Sequence, residues 1–383
     1  MLAVERRIAR PNVFEIDLGA IAENTRAVRA AVGLGVRIFA ALKANAYGFG
    51  LLQVAETVLS AGADGLSMAE LNDAIRLREK GISAPILLYG GNLPSPDVVA
   101  ATEHHGVYPT LLDLESARAY SEHARRAIGA FVKMDVGLER LGVAPNGARE
   151  FISAVQRFPR LRLQGVYTHM HIVDNPDAER YARWQFQRFE NVLDQLRRDG
   201  VEVPIVMAAS SAVLLMTGSM TLNAVDPGHL IYGLLPGGPQ LVEIPLHQAF
   251  ASLRTRLIQV KEWSRSEWRS AAPFEPDGVN RIGILPIGRS DGMVALHSGQ
   301  VLVRGRRARV LGPPSLEHTR VDLTEAPEAR VGDEVVIIGR QGADEITPAE
   351  VMAHQGHSVA VALALEVRES VQRQYLPART QSE

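Results

Sequence analysis

The sequence predicts an α/β barrel of the (β/α)8 type, followed by a second, mostly β domain. The chain has 383 residues, of which 46% are hydrophobic, and at about 100–200 residues per domain this length suits two domains. From residue 13 to about residue 240, β-rich runs alternate with segments of helical apolar spacing. About eight such βαβ units in roughly 230 residues fit a closed barrel better than the alternative, an open doubly wound sheet.

The elements of the predicted barrel domain, residues 13–240, follow one another in a regular order. The β-rich runs are VFEIDL (13–18), RIFAAL (37–42), PILLYG (85–90), FVKMDV (131–136), LQGVYTH (163–169) and PIVMAAS (204–210). The predicted helices between them include Ala20–Val32, Leu51–Ala61, Ala69–Lys80, Leu114–Ile128 and Tyr181–Arg198. Apolar strands separated by amphipathic helices indicate a parallel sheet.

After residue 240 the alternation stops. Short strand-like runs separated by Gly- and Pro-bearing turns predict a mostly β domain over residues 241–383. The predicted strands are Leu253–Trp263, Val279–Ile287, Gln300–Leu311, Glu334–Gly339 and Ser358–Arg368, with one helix at Thr347–His354. The segment 1–12 is predicted to pack on this C-terminal domain.

Composition excludes several classes of function. The 41 basic and 43 acidic residues leave a net charge of -2, so neither a nucleic-acid partner nor a membrane partner is predicted. The chain has no Cys, which excludes disulfides and thiolate metal sites, and no metal site is predicted. Without a signal-peptide pattern or an apolar stretch of roughly 20 residues, we expect a cytoplasmic protein.

Lysine is rare in this chain. Only Lys43, Lys80, Lys133 and Lys261 are lysines, whereas 37 basic residues are arginines. Lys43 closes an apolar strand, in ALKANAYGFG, at the end of a barrel strand where functional residues gather. Burial there would lower the pKa of the amine and free it to form a Schiff base. The alternative is a lysine that only extends along the barrel rim into solvent.

Four further strand ends carry polar residues. Arg140, in VKMDVGLERLG, could clamp a carboxylate or phenolic oxygen, or belong to a solvated charge run. His169, in YTHMH, is a catalyst or a structural histidine. Ser211, in AASSA, and Gly228, in VDPGHLIYG, suit a phosphate. Two phosphate-compatible loops together with an early lysine suggest a phosphorylated carbonyl cofactor.

Together these segments resemble the alanine racemase family, which holds pyridoxal phosphate in a barrel followed by a β domain. They occur in the family's order: KANAYG (43–48), KMDVGLERLG (133–142), GVYTH (165–169), SSA (210–212), DPG–IYGL (226–234), GILPIGRSDG (283–292) and VGDEVVIIGRQG (331–342). The resemblance implies a pyridoxal-phosphate-dependent isomerase, an amino-acid racemase, whose substrate is an amino acid. It also implies a homodimer, in which the β domain completes the partner subunit's active site.

The resemblance assigns a role to each matching residue. Lys43 would bind the cofactor covalently and act as an acid–base group at the substrate α-carbon. Arg140 would reach the phenolic oxygen and the substrate carboxylate, and Lys133 matches a lysine that some members carry as a carbamate. The remaining cofactor contacts would come from Tyr47, His169, Ser211 and the backbone amides of Gly228 and His229.

The chain departs from the family at positions that bear on its chemistry. Ser270 stands where the family has a tyrosine as second base, and a serine hydroxyl is a far poorer base. Leu316 replaces a methionine whose backbone meets the substrate carboxylate, with Glu317 after it. Arg289 replaces a further tyrosine. Asp226 stands where the family has an arginine that faces the pyridine nitrogen.

The Asp226 replacement leaves several functions open. A carboxylate there favours a protonated pyridine ring and a stronger electron sink, unless Asp226 only pairs with a nearby arginine. Asp226 and Ser270 would then join Lys43 as catalytic residues of an amino-acid racemase. The alternative is one-base chemistry on the same scaffold, such as a decarboxylase, a lyase or an aldolase. A non-catalytic pyridoxal-phosphate-binding protein is a minor alternative.

Overall fold

The computed structural model describes residues 10–262, 278–356 and 363–377, and the chain divides into two compact units. One unit is Leu18–Gln248, and the other combines the chain up to Asp17 with the chain from Ala249 onward. The first strand, β1 (Val13–Asp17), belongs to the latter unit. No helix within the described ranges is long and apolar enough to cross a membrane.

The unit Leu18–Gln248 is a closed barrel of eight parallel strands. They are β2 (Arg37–Ala41), β3 (Gly65–Met68), β4 (Ile86–Leu88), β5 (Thr110–Leu111), β6 (Ile128–Met134), β7 (Leu161–Thr168), β8 (Ile205–Ser210) and β9 (Ala224–Asp226). The ladder runs β4-β3-β2-β9-β8-β7-β6-β5, and a parallel bridge between Leu87 and Tyr108 closes it. The predicted (β/α)8 class is therefore confirmed.

Helices connect the barrel strands. They are α1 (Leu18–Val32), α2 (Lys43–Tyr47), α3 (Leu51–Ser60), α4 (Leu71–Glu79), α5 (Pro96–His105), α6 (Leu114–His123), α7 (Pro145–Val155), α8 (Ala178–Arg198) and α9 (Ser211–Met216). Of these, α1 leads into the first barrel strand, and α2 is a left-handed turn rather than a right-handed helix. Local caps start some of them: Ser95 accepts a hydrogen bond from the amide of Val98, and Asp113 forms a capping box with Ser116. Buried side chains such as Phe39, Phe131 and Tyr167 form one of the hydrophobic clusters of this unit.

The other unit is mostly β, as predicted. Its elements beyond β1 are β10 (Phe250–Arg256), β11 (Gln259–Glu262), β12 (Arg281–Leu285), β13 (Gln300–Val303), β14 (Arg306–Arg309), β15 (Thr319–Asp322), β16 (Glu334–Gln341), β17 (Asp344–Ile346), β18 (Gln372–Leu376) and α10 (Pro348–His354). One sheet has the order β14-β13-β16-β10-β1-β18, with β17 on β16, and the other has the order β11-β12-β15.

The placement of residues 13–17 in the barrel is wrong. The strand β1 pairs with β10 and with β18 in the β unit, so the first barrel strand is β2. The alternating burial of β1, with Phe14 and Ile16 fully buried, suits a strand in either sheet. Because helix α1 follows β1 directly, the two have the sequence pattern of a βα unit of the barrel. The boundaries at 13 and 240 accordingly move to 18 and 248.

The residues ahead of β1 and those near the C-terminus also belong to the β unit. Ahead of β1, Asn12 donates a hydrogen bond to Pro286 O at 2.7 Å and accepts one from Thr255 Oγ1 at 2.7 Å, and Arg10 pairs with the buried Asp291 at 2.7 Å. Near the C-terminus, the predicted strand over residues 358–368 is wrong where the chain is described, because Leu363–Leu365 forms a 3-10 helix.

Candidate active site

Lys43 starts a left-handed turn at the carboxyl end of β2. The four residues Ala44–Tyr47 have φ between 53° and 54°, a conformation that costs roughly 1–2 kcal/mol for each L-residue. Neighbouring hydrogen bonds hold the turn, because Leu42 N donates to Ser67 O and Leu51 N donates to Asn45 Oδ1. The turn brings the Tyr47 ring close to the lysine side chain, with Lys43 Nζ 5.7 Å from the centre of the ring.

Asp226 ends β9, the strand that pairs with β2 on one side and with β8 on the other. Its side chain is buried, and Tyr89 donates a hydrogen bond of 3.1 Å to Oδ2. The other oxygen, Oδ1, is buried and receives no hydrogen bond from any described residue. Burial raises the pKa of Asp226 to about 7, against the opposing effects of Tyr89 and the two nearby lysines.

The side chains around Asp226 include several bases. Burial lowers the pKa of Lys43, and the Asp226 charge partly offsets this. Lys133, in β6, is buried with Nζ 5.7 Å from the centre of the Tyr167 ring, and burial lowers its pKa to about 8. Burial and nearby cations lower the pKa of His169 to about 3, so its imidazole is neutral near pH 7.

Arg140 lies on a loop that a carboxylate organises. Asp135 accepts hydrogen bonds from the backbone amides of Gly137, Leu138, Glu139 and Arg140, at 2.7–3.1 Å. From helix α8, Tyr181 donates a hydrogen bond of 2.7 Å to Gly137 O. The Arg140 guanidinium is near enough to lower the pKa of both Lys43 and Lys133, after burial. The structure therefore brings this predicted residue to the site.

The loop after β9 and the start of α9 form a cradle of polar groups. Ser211 Oγ accepts hydrogen bonds from Gly228 N at 2.9 Å and from Leu230 N at 3.3 Å. A Cβ at Gly228 would lie 2.5 Å from the Tyr47 hydroxyl oxygen, so any other residue there would displace the Tyr47 side chain. The rings of Tyr47 and His229 meet edge to face at 5.5 Å. The predicted phosphate-binding residues are thus neighbours.

The candidate residues in the C-terminal part of the sequence are Ser270, Arg289, Leu316 and Glu317. Ser270 lies outside the described residues. Leu316 and Glu317 are in the β unit; both side chains are exposed, and Leu316 O accepts hydrogen bonds from the Ser290 amide and hydroxyl. Arg289, exposed in the same unit, donates from Nε to Pro314 O at 3.2 Å. Their roles toward a substrate stay predictions.

Sequence reasoning missed the two hydroxyl groups that support Asp226. Tyr89 follows β4, and Ser67 lies in β3 with its Oγ 2.7 Å from the Tyr89 hydroxyl. A signal existed, because both are polar residues at the carboxyl ends of barrel strands. A third missed residue, Tyr232, donates a hydrogen bond of 2.9 Å to Ala41 O and so fixes the strand end that precedes Lys43.

Comparisons with known proteins agree with this arrangement. A family model described as "Alanine racemase, N-terminal domain" matches residues 16–236, and one described as "Alanine racemase, C-terminal domain" matches residues 250–375. An alanine racemase from Halothermothrix orenii is 32% identical over 378 residues, covering 97% of this chain and 98% of that protein. One from Geobacillus kaustophilus is 38% identical over 354 residues, covering 91% and 90%.

Solved structures give the same result. The crystal structure of alanine racemase from E. faecalis matches with a TM-score of 0.86 and 28% identity, over 96% of this chain and 98% of that one. The structure from Bacillus anthracis with bound L-Ala-P matches with a TM-score of 0.84 and 28% identity, over 97% of each chain. The chain belongs to the alanine racemase family, whose members are pyridoxal-phosphate-dependent isomerases.

Proposed function

We propose that the chain is a pyridoxal-phosphate-dependent amino-acid racemase that acts as a homodimer. The observation that carries the proposal is the amine of Lys43, whose pKa burial lowers, in one site with a cradle of polar groups and a buried carboxylate. One oxygen of that carboxylate receives no hydrogen bond from any described residue. Membership in the alanine racemase family supports the same reaction.

The residues present fit the cofactor at three separate points. The Tyr47 hydroxyl, Ser211 Oγ and the backbone of Gly228 and His229 would hold the phosphate, where the absence of a Cβ at Gly228 keeps the cradle open. The amine of Lys43 would take the aldehyde. The buried Asp226 Oδ1 is an acceptor without a donor among the described residues, and a pyridine N–H would supply that donor.

When bound, pyridoxal phosphate would supply a conjugated ring that spreads the negative charge left on the substrate α-carbon. The Lys43 amine would take the α-proton, since burial lowers its pKa and so raises the neutral fraction of the amine. Arg140 would bind the substrate carboxylate and the phenolic oxygen. Neutral His169 would lie beside the ring without adding a positive charge.

The proton must return on the opposite face for racemisation. In the proposed dimer Ser270, Leu316 and Glu317 come from the partner subunit's β domain. The proton donor would be Ser270, a water or Lys43 itself. Lys133, as a carbamate, would hold Arg140 in place. An amino acid is the proposed small-molecule substrate.

The decisive experiment combines trapping with isotope exchange. Borohydride reduction of the loaded protein should attach the cofactor to one peptide, the one that contains Lys43, and Lys43→Ala should abolish the label. A label on Lys133 or Lys261 would overturn the site. Single L-amino acids in deuterated water should yield the D-enantiomer with deuterium at the α-carbon, and no exchange with any amino acid would overturn racemisation.

A second candidate function is favoured by Asp226. A carboxylate at the ring nitrogen makes a stronger electron sink than an arginine does, and Ser270 is a weak second base. These two features suit a one-sided reaction, such as decarboxylation, elimination or aldol cleavage. An amino-acid panel that is assayed for carbon dioxide, ammonia and aldehydes as well as product chirality separates the two functions.

A further inference from the structure

Three side chains from three barrel strands form one hydrogen-bonded chain. Tyr89 donates to Asp226 Oδ2 at 3.1 Å, and Ser67 Oγ lies 2.7 Å from the Tyr89 hydroxyl oxygen. Because a phenol has a single proton, and this proton goes to Asp226, the Ser67 hydroxyl must be the donor to Tyr89. The chain therefore runs in one direction, from Ser67 through Tyr89 to Asp226, and its bonds polarise one another.

The neighbourhood keeps this direction fixed. Ser67 is fully buried, and burial together with the Asp226 charge raises the pKa of Tyr89 well above its ordinary value, so the phenol stays a donor. The bond occupies Oδ2 and leaves only Oδ1 without a partner among the described residues. The Asp226 carboxylate thus has one oxygen, Oδ2, that already accepts a hydrogen bond. Its other oxygen, Oδ1, could accept a hydrogen bond from the single N–H of a protonated pyridine ring.

We propose that Tyr89 and Ser67 are positioning residues that keep Asp226 ionised and direct its Oδ1 to the cofactor ring nitrogen, so that the nitrogen retains the proton. The inference rests on the proposed function, because it assumes the ring lies against Asp226. A hydrogen bond donated to a carboxylate favours its charged form. Without the Tyr89 donor, the proton equilibrium would shift from the ring nitrogen toward Asp226, and the ring would become a weaker electron sink.

The test measures where this proton lies, independently of turnover. The protein is loaded with pyridoxal phosphate labelled with 15N in the ring, and its nitrogen chemical shift distinguishes pyridinium from neutral pyridine. The variants are Tyr89→Phe, Ser67→Ala and Asp226→Asn. Tyr108→Phe is the matched control, because Tyr108 packs against the same hydrophobic cluster as Tyr89 and loses the same hydroxyl.

We expect a pyridinium shift in the wild type and in Tyr108→Phe, and a neutral shift in Asp226→Asn. Tyr89→Phe should move the proton equilibrium away from the ring on the order of tenfold, the worth of one hydrogen bond to a charged group. Ser67→Ala should move it less, in the same direction. This variant leaves the Tyr89 ring in place, so it decides the question if Tyr89→Phe does not fold.

The outcomes separate the inference from the function on which it rests. A wild-type signal in Asp226→Asn would overturn the placement of the ring against Asp226. A shift in Asp226→Asn, with none in Tyr89→Phe or Ser67→Ala, would overturn the positioning role and leave the proposed function intact. An equal change of the nitrogen chemical shift in Tyr108→Phe would show that general loosening of the core moves the proton. It would overturn the role of the hydrogen-bonded chain from Ser67 to Asp226.

Discussion

At Asp226 the protein buries an acid that is costly to ionise. Its pKa of about 7 in the folded chain lies above the value of about 4 for an exposed aspartate. Between these two pH values the folded state binds more protons than the unfolded state, so this residue makes the free energy of unfolding fall as the pH rises. The loss is complete above pH 7 and absent below pH 4.

Asp226→Asn should therefore stabilise the cofactor-free protein in a pH-dependent manner. At pH 8 we expect the variant to unfold with a free energy a few kcal/mol higher than the wild type, because the cost of ionisation is removed. At pH 4 the two proteins should be equally stable. Denaturant titrations across this range measure the difference, and a constant difference would show that Asp226 is not ionised at a cost.

Lys133 gives a second prediction at the scale of a residue. Its pKa of about 8 leaves much of the amine neutral at pH 8, and only a neutral amine adds carbon dioxide. An anionic carbamate would attract Arg140, which an ammonium group repels. With 13C-bicarbonate we expect a carbamate signal that is stronger at pH 8 than at pH 6.

Two variants test whether the carbamate signal comes from Lys133. Lys133→Met should remove the carbamate signal and lower kcat/KM by about tenfold or more, the cost of losing one charged hydrogen bond. Lys43→Ala is the control, and it should keep the signal while losing the reaction. A signal that persists in Lys133→Met would place the carbamate elsewhere.

Among the elements, the left-handed turn Ala44–Tyr47 holds L-residues in a backbone conformation that their own side chains disfavour. Ala44 is exposed and has φ and ψ of 54°, where a Cβ is unfavourable and glycine is not. We expect Ala44→Gly to stabilise the protein by about 0.5–1 kcal/mol. Its thermal midpoint should rise accordingly.

The matched control lies in an ordinary helix. Ala30 is also exposed, in α1, and Ala30→Gly should destabilise the protein by about 1 kcal/mol, since glycine is a poor residue in a right-handed helix. Opposite signs for the same chemical change would confirm the strain at Ala44. Equal losses would contradict it.

The sequence predicts long elements with clear periodicity and misses several of the short ones. The helices α1, α3, α4 and α8 begin or end within a few residues of their predicted bounds, because each presents a full apolar face. The strands β3, β5 and β9 have four, two and three residues, too few to show a period. Lys43 and Asp226 could be found because each stands beside a recognisable motif.

Tyr89 and Ser67 each stand at a strand end, but their link to Asp226 could not be predicted, because it exists only once the barrel has closed. They are 22 residues apart in the chain and 137 or more from Asp226. A single tyrosine after an apolar strand has the same local pattern as a core residue, and only the strand order β4-β3-β2-β9 brings the three side chains together.

For the whole molecule, the proposed dimer makes a prediction about shared sites. Lys43→Ala disables the barrel half of a site, and Leu316→Glu places a negative charge where the partner's substrate carboxylate would bind. Each variant alone should be inactive as a homodimer. Mixed dimers from co-expression should regain about a quarter of the wild-type activity, because half of the dimers are hybrids and each hybrid has one intact site.

This result depends on both variants still forming dimers, which sedimentation measures directly. No recovered activity in dimers that demonstrably mix would show that one chain builds the whole site. Full activity in Leu316→Glu alone would remove Leu316 from the substrate-binding residues.

The pairing of β2 with β9, in which Ile38 lies opposite Val225, has a consequence for biosynthesis. It joins the earliest barrel strand to the latest, so Lys43 and the groups around Gly228 meet only after nearly all of that unit has been translated. A growing chain on the ribosome that has not yet exposed His229 has the lysine but lacks the polar groups that would bind the phosphate of pyridoxal phosphate. Under the proposed function, pyridoxal phosphate would therefore bind after synthesis of the barrel rather than during it.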